Sequence, residues 1–370
     1  MYKKIFLVLF SFIILVQCSS SDDDASALEE LNTSYDRSKM LVHWADNIII
    51  PAHSSFQANL SNLDTSTKSF VANPNQSNLD DLRSKWLLSY KSWQHIEMFD
   101  IGKAEEIYYK AKMNIYPVDV SWLENNIEKS DYNLDDANNY SSQGFPAIDY
   151  LLHGIGADDS AILNKFNLNS KHSNYLTALV NKMVSSTNSV ISDWTNYRAT
   201  FVGSTANTAS SSVNKLINDF IYYYEKGFRA NKIGIPAGVF SGGTLPSNVE
   251  AFYNKDVSKD LTLEAMEANI KFFNGTSFDG LSTGPSLKSY LVHLNTTKAD
   301  VTLSNSIETK LQSAKTSINS LSNNFVSQIS TDNNKMLVTY DAIQSVVVLL
   351  KVDMLQAFNI NVDYTDADGD

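Results

Sequence analysis

Apolar residues recur along this chain at intervals of three and four. Leu79, Leu82, Trp86, Tyr90 and Trp93 form one such stripe, and Asp80, Asp81, Arg83, Ser84 and Lys85 fill the other side. That is the pattern of a helix with one buried face. Met336, Tyr340, Ile343, Val347, Leu350, Met354 and Phe358 mark a second helix near 335–358. Its middle is apolar on several faces, which suits a central position in a bundle. The same spacing predicts helices over 29–60, 143–152, 175–197, 213–228, 262–273, 286–294 and 304–329.

Local signals refine these elements. Pro146 and Pro285 suit the first turn of a helix, where no amide donor is missed. Ser247-Asn248-Val249-Glu250, after Pro246, has the form of a capping box. Irregular structure is expected over 234–246, where Gly234, Pro236, Gly238, Gly242, Gly243 and Pro246 gather. The Ser/Thr/Ala-rich stretch 203–212 reads as a linker. It divides the chain into an N-terminal bundle over 34–202 and a C-terminal bundle over 203–362, each of ordinary domain size. The chain holds only 14 Gly and 7 Pro. An average chain of this length carries roughly twice as many, so long elements with few turns are expected. The expected fold class is all-α, with two packed helical bundles.

The first residues follow a different logic. Lys3 and Lys4 precede an apolar run from Ile5 to Val16, broken only by Ser11. The run is shorter than the about 20 residues a membrane span needs, and it reads as a secretory signal over residues 1–17. The single cysteine, Cys18, follows at once and has no partner for an internal disulfide. Leu15-Val16-Gln17-Cys18 resembles a bacterial lipobox, which implies lipidation of Cys18 and an outer-membrane lipoprotein of the cell envelope. The alternative is a plain signal peptide with an incidental cysteine. Residues 18–33, opening with Ser19-Ser20-Ser21-Asp22-Asp23-Asp24, suit a flexible acidic tether. They resemble the surface-export signals of some bacterial lipoproteins. Residues 363–370 read as an acidic tail, since Asp366-Ala367-Asp368-Gly369-Asp370 starts like a calcium loop but lacks the later ligands.

Charge and composition narrow the functions. The formal charge of −12 argues against nucleic acid as a partner, which calls for a basic footprint. Apolar residues at 43% exclude disorder as the main state. The sequence holds no P-loop, no dinucleotide-binding glycine fingerprint, no HExxH and no CxxC.

Two carboxylates stand out by position. Glu97 falls on the stripe of Leu79, Trp86, Tyr90 and Trp93, near its centre. An unpaired carboxylate there would cost several kcal/mol (about 3–5). It must be partnered, protonated or part of a ligand site, unless the stripe has already reached solvent. His95 points the opposite way and is expected to be exposed. Asp149 lies at the edge of the face made by Phe145, Ile148 and Leu152, with His153 four residues on. That spacing can hold a metal or orient an imidazole. It also fits a local contact near a helix C-terminus.

Residues 144–154 resemble the signature of the imelysin family, a Gly-x-His-x-x-Glu motif leading into a Tyr-Leu-Leu helix. Ile50-Pro51-Ala52-His53, Trp86 through Ser92-Trp93-Gln94 to Glu97, Asn114-Ile115-Tyr116-Pro117, Lys232-Ile233-Gly234-Ile235-Pro236 and Pro246-Ser247-Asn248-Val249-Glu250 agree in order. The resemblance implies two helical bundles, a place in the bacterial envelope, and a link to iron acquisition. It also implies a peptidase class in which the motif His and Glu serve as metal or catalytic groups. Here the motif Gly is Gly144, the His position is Pro146 and the Glu position is Asp149. Proline has no ligand atom, so the hallmark imidazole is absent. His153 lies about 10 Å further along the axis and does not simply replace it.

Together these readings place Glu97, Asp149 and Glu250, with His53 or His153, in a cleft between the bundles. Such a set would suit a metal ion, iron or zinc. The leading expectation is a lipid-anchored binding protein for iron, haem or another small molecule. A metal-dependent peptidase and a structural or adhesion-type surface lipoprotein are the alternatives.

Overall fold

A computed structural model describes residues 34–298 and 301–364 of this chain. The signal segment, Cys18, the tether and most of the acidic tail lie outside the described residues. Within them the chain is all-α apart from two short paired strands, Thr297–Lys298 and Val301–Thr302.

The helices that position the site are α1 (Arg37–His43), α2 (Ile50–Ala72), α3 (Gln76–Trp93), α4 (Gly144–Asp149), α5 (Ser170–Gly203), α6 (Ser212–Tyr222), α7 (Ser258–Asn274), α8 (Leu303–Asn319) and α9 (Phe325–Val348). Helix α3 buries the stripe its sequence announces: Leu79, Leu82, Trp86, Tyr90 and Trp93 are all within 1% of full burial. Its N-terminus is closed by Asn75, whose Oδ1 accepts the Asn78 amide at 3.1 Å. Helices α2, α3 and α5 pack together in the first half of the chain. Helices α7, α8 and α9 pack in the second, with α9 also against the Tyr223–Gly234 segment. The two groups meet where α7 lies against α3. Buried apolar residues form one connected core through both halves.

Four segments open from α-helical to π-helical winding: Trp44–Ile49, Tyr150–Gly154, Tyr223–Gly234 and Leu349–Met354. Such widened turns are unusual and re-aim the side chains they carry. The longest continues α6 and carries Lys232.

Several expected elements differ. The helix expected over 304–329 is broken at 320–324, Ser-Leu-Ser-Asn-Asn. There Gln328 Oε1 accepts the Ser322 amide at 2.9 Å, and Asn324 Oδ1 caps α9 through the Ser327 amide at 2.8 Å. Side chains that bind backbone donors compete with helix continuation. The last long helix therefore starts at Phe325, with a non-helical residue at Asp332. Pro285 precedes the capping residue Ser286 rather than entering the helix. The capping box expected at Ser247 does not form. Pro246–Asn248 make a single tight turn, Val249 is extended, and Glu250 turns into the core. His95 is not exposed but half-buried, with Nε2 3.1 Å from Glu264 on α7. Irregular backbone begins at Gly238 rather than Gly234, because helical winding runs on through Ala237.

Candidate functional site

The chain continues past α3 in one more helical bond, Glu97 N–H to Trp93 C=O at 3.0 Å, so Glu97 stays on the buried face. Its carboxylate meets side chains from three other stretches. Asn114 Nδ2 donates to Glu97 Oε1 at 2.8 Å and to Glu250 Oε1 at 3.0 Å. Lys232 Nζ donates to Glu250 Oε2 at 2.6 Å and to Gln94 Oε1 at 2.7 Å, and lies 4.0 Å from Glu97 Oε2. Gln94 Nε2 completes the ring by donating to Glu250 Oε1 at 3.1 Å. Tyr90 donates to Asn114 Oδ1 at 2.6 Å, which fixes the direction of the amide. Lys232 and Glu250 are within 2% of full burial, and Glu97 is 7% exposed.

One ammonium thus serves two buried carboxylates. Burial raises the Glu97 carboxyl above its ordinary range; Lys232 offsets part of the rise and Glu250 adds to it. Glu97 Oε2, the Trp93 indole N–H and the Tyr223 hydroxyl are buried without a well-formed hydrogen bond. The Tyr223 phenol is held well above its ordinary value, first by burial and then by Glu97 and Glu250.

The motif helix α4 reaches this cluster through Gly144. Its φ of +74° is a left-handed conformation, and a Cβ there would stand 2.2 Å from the Met113 carbonyl oxygen. Only glycine lets α4 dock on the backbone that presents Asn114. Pro146, in the hallmark His position, lies in the first turn and lines a cleft with Asp149. Tyr116, Pro117, Val118, Ser247, Val249 and Phe252 make most of its remaining wall. The cleft encloses about 120 Å³. Tyr116 links it to the cluster, since its phenol is raised by burial and then by Glu250 and Glu97.

Asp149 has a separate set of partners. Its carboxylate accepts the Tyr253 amide at 2.8 Å and the Asn254 amide at 3.0 Å, and His153 Nδ1 is 3.1 Å from Oδ1. It clamps the 253–254 turn that forms one wall of the cleft. His153 packs beside the Trp86 ring, with centroids 5.3 Å apart. His53 is buried and bonds the Ile49 carbonyl at 2.9 Å, and burial pushes its pKa down to about 4.

The structure therefore brings together Glu97 and Glu250, sets Asp149 and His153 at the neighbouring cleft, and leaves His53 bonded within its own helix. Among the described residues no group of three or more His, Cys, Asp or Glu is arranged to hold a metal ion. Glu97, Asp149, Glu250 and a histidine, expected as one set, are thus not gathered at one point among the described residues. Lys232 already stands against Glu97 and Glu250, and backbone amides take Asp149. The sequence reading missed Lys232, Gln94, Asn114, Tyr116 and Tyr223. All but Tyr223 fall in the quoted family-like stretches. Lys232 also follows Phe228 at the i+4 spacing of a buried face.

The fold and site define a class: an all-helical protein of two packed bundles, with a buried acid–lysine cluster beside a small cleft. The chain belongs to the imelysin family, whose model (Peptidase M75) matches residues 49–352. Iron-regulated protein A of Synechococcus elongatus is 25% identical over 109 residues, 30% of each chain. The chain thus matches less than a third of that curated relative's length. An imelysin-like protein from Psychrobacter arcticum has the same fold, with a TM-score of 0.68 and 15% identity over 89% of this chain and 97% of its own. A structure from Parabacteroides distasonis, described as a candidate iron-regulated protein A precursor, gives a TM-score of 0.71 and 15% identity. It covers 87% of this chain and 95% of its own. These two likenesses establish the fold. A resident metal, implied by the peptidase resemblance, does not fit these residues: Pro146 supplies no ligand atom and Lys232 holds the place between the carboxylates.

Proposed function

We propose that this protein is a binding protein of the cell envelope, tied to iron acquisition and held by a lipid on Cys18. In this reading it recognises a small group in the cleft of Tyr116, Pro146, Asp149 and 247–253. The observation that carries the reading is the pairing of a formed cleft with a cluster whose charges are compensated from within. A metallopeptidase needs open metal ligands and a base to activate water, and the donor set here offers neither. The cleft volume of about 120 Å³ falls below the roughly 300–1,000 Å³ of ordinary small-molecule pockets. Haem is therefore too large for it, and a side chain or small polar molecule suits it better. An envelope location rests on the signal-like N-terminus and Cys18. No helix of the described residues is long and apolar enough to cross a membrane.

Ser247 is exposed at the cleft wall and outside the buried cluster. Ser247→Trp should fill the cleft without disturbing the fold. In the bacterium that encodes it, the variant should fail to restore iron-limited growth to a deletion strain while accumulating normally. Full restoration by Ser247→Trp would remove the cleft from the function. Metal-dependent cleavage of a mixed peptide library by the purified protein would favour the peptidase reading instead.

A further inference from the structure

The side chains around Lys232 have the chemistry of a hard-cation shell. Its Nζ is 2.6 Å from Glu250 Oε2, 2.7 Å from Gln94 Oε1 and 4.0 Å from Glu97 Oε2. These oxygens come from three side chains on two stretches, Gln94 and Glu97 just past α3 and Glu250 far along the chain, and two of them are carboxylates; proteins surround divalent ions that prefer oxygen with such groups. The Lys232 side chain is fully buried, so the ammonium is held there rather than sampling solvent. Two further observations point the same way. Glu97 Oε2 is buried and faces the ammonium at 4.0 Å without a well-formed hydrogen bond, with the Trp93 indole and the Tyr223 hydroxyl beside it. Asn114 donates one amide group to both carboxylates and holds them side by side, as a positioning residue does in a metal site.

We propose that Lys232 is a resident cation: its ammonium occupies a position that Glu97, Glu250 and Gln94 would otherwise offer to a divalent ion. A side chain of the chain itself thus stands where these oxygens would hold a metal. Lys232 is shared by both carboxylates, and a divalent ion in its place would likewise face both. The inference concerns the cluster alone and does not depend on what enters the cleft.

The test is titration of the full chain with Mn²⁺, read by electron paramagnetic resonance and by the shift in Tm. The wild type should bind no Mn²⁺ at the cluster, and 1 mM Mn²⁺ should leave its Tm unchanged. Lys232→Ala should bind one Mn²⁺ per chain at least tenfold more tightly than any wild-type binding, with Tm rising by several degrees. Lys232→Ala combined with Glu250→Gln should lose that binding. If Lys232→Ala folds only on addition of Mn²⁺, refolding with and without the ion gives the same positive answer. The proposal is overturned if folded Lys232→Ala binds Mn²⁺ no better than wild type. It is also overturned if Mn²⁺ fails to rescue an unfolded Lys232→Ala, or if Glu250→Gln in the double variant leaves binding intact.

Discussion

Lys232 sets the energetics of its neighbours. Two carboxylates share it, and each is also held by Asn114. Breaking a buried ion pair from one side costs about 3–5 kcal/mol, because the remaining charge has no compensation. Lys232→Met without added metal should therefore lower the unfolding free energy by about that amount, read from urea denaturation. Adding Glu250→Gln should recover a large part of it, since the uncompensated charge then disappears. Equal losses in the single and double variants would contradict the shared-cation picture. Glu97 was legible because a carboxylate on an apolar stripe has to be explained. Lys232 lies on a similar face but was not legible. A lysine there ordinarily carries its head out to water along an apolar stem, and only the surrounding fold shows that this one does not.

At the scale of elements, the periodic helices were read well and their interruptions were not. Apolar spacing reports the buried face, and it located α3 and the last long helix. The break at 320–324 depends on Gln328 and Asn324 turning back onto backbone amides, a local competition that periodicity does not register. The capping role expected of Glu250 was misread for the same reason, although its place beside Glu97 was anticipated. Its spacing from Ser247 fits a cap, but the pull of Lys232 and Asn114 in the interior decides its place. The Gly144 contact yields a direct prediction. Gly144→Ala meets both a left-handed backbone and the Met113 carbonyl at 2.2 Å. It should destabilise the protein by about 2–4 kcal/mol, measured by chemical denaturation, whereas an effect within experimental error would refute the docking role. Asp149→Asn should act more locally. It removes a charged acceptor from the Tyr253 and Asn254 amides. Hydrogen exchange should speed up over 249–256 while the core helices keep their protection; uniform loss of protection would contradict a local clamp.

Across the whole molecule, buried ionisable groups impose a pH dependence. Burial, with the Asp100 carboxylate next in effect, pushes Asp219 up to about 8. Folded Asp219 therefore holds a proton that the unfolded chain releases near pH 4. Its contribution to stability is complete at low pH and is lost as pH rises toward 8. His53 acts in the opposite sense. Its folded pKa of about 4 keeps it neutral while the unfolded chain protonates below about 6.5, so stability is lost as pH falls from 6.5 toward 4. Between pH 6.5 and 8 only Asp219 of this pair contributes. Asp219→Asn should accordingly raise Tm at pH 8 and flatten its decline above pH 6.5. An unchanged slope in thermal unfolding across that range would show that Asp219 is ionised in the folded state.

Lys232 stands among the acidic side chains where a cation would sit, so no resident metal is expected in the cluster. Metal analysis of the full-length protein, produced with iron, zinc and manganese supplied in excess, decides the matter. Far less than one equivalent of any transition metal per chain is expected, with a Tm that EDTA leaves unchanged. About one equivalent per chain, removed by EDTA and lost in Glu97→Gln or Glu250→Gln, would show that a metal and not Lys232 balances the carboxylates.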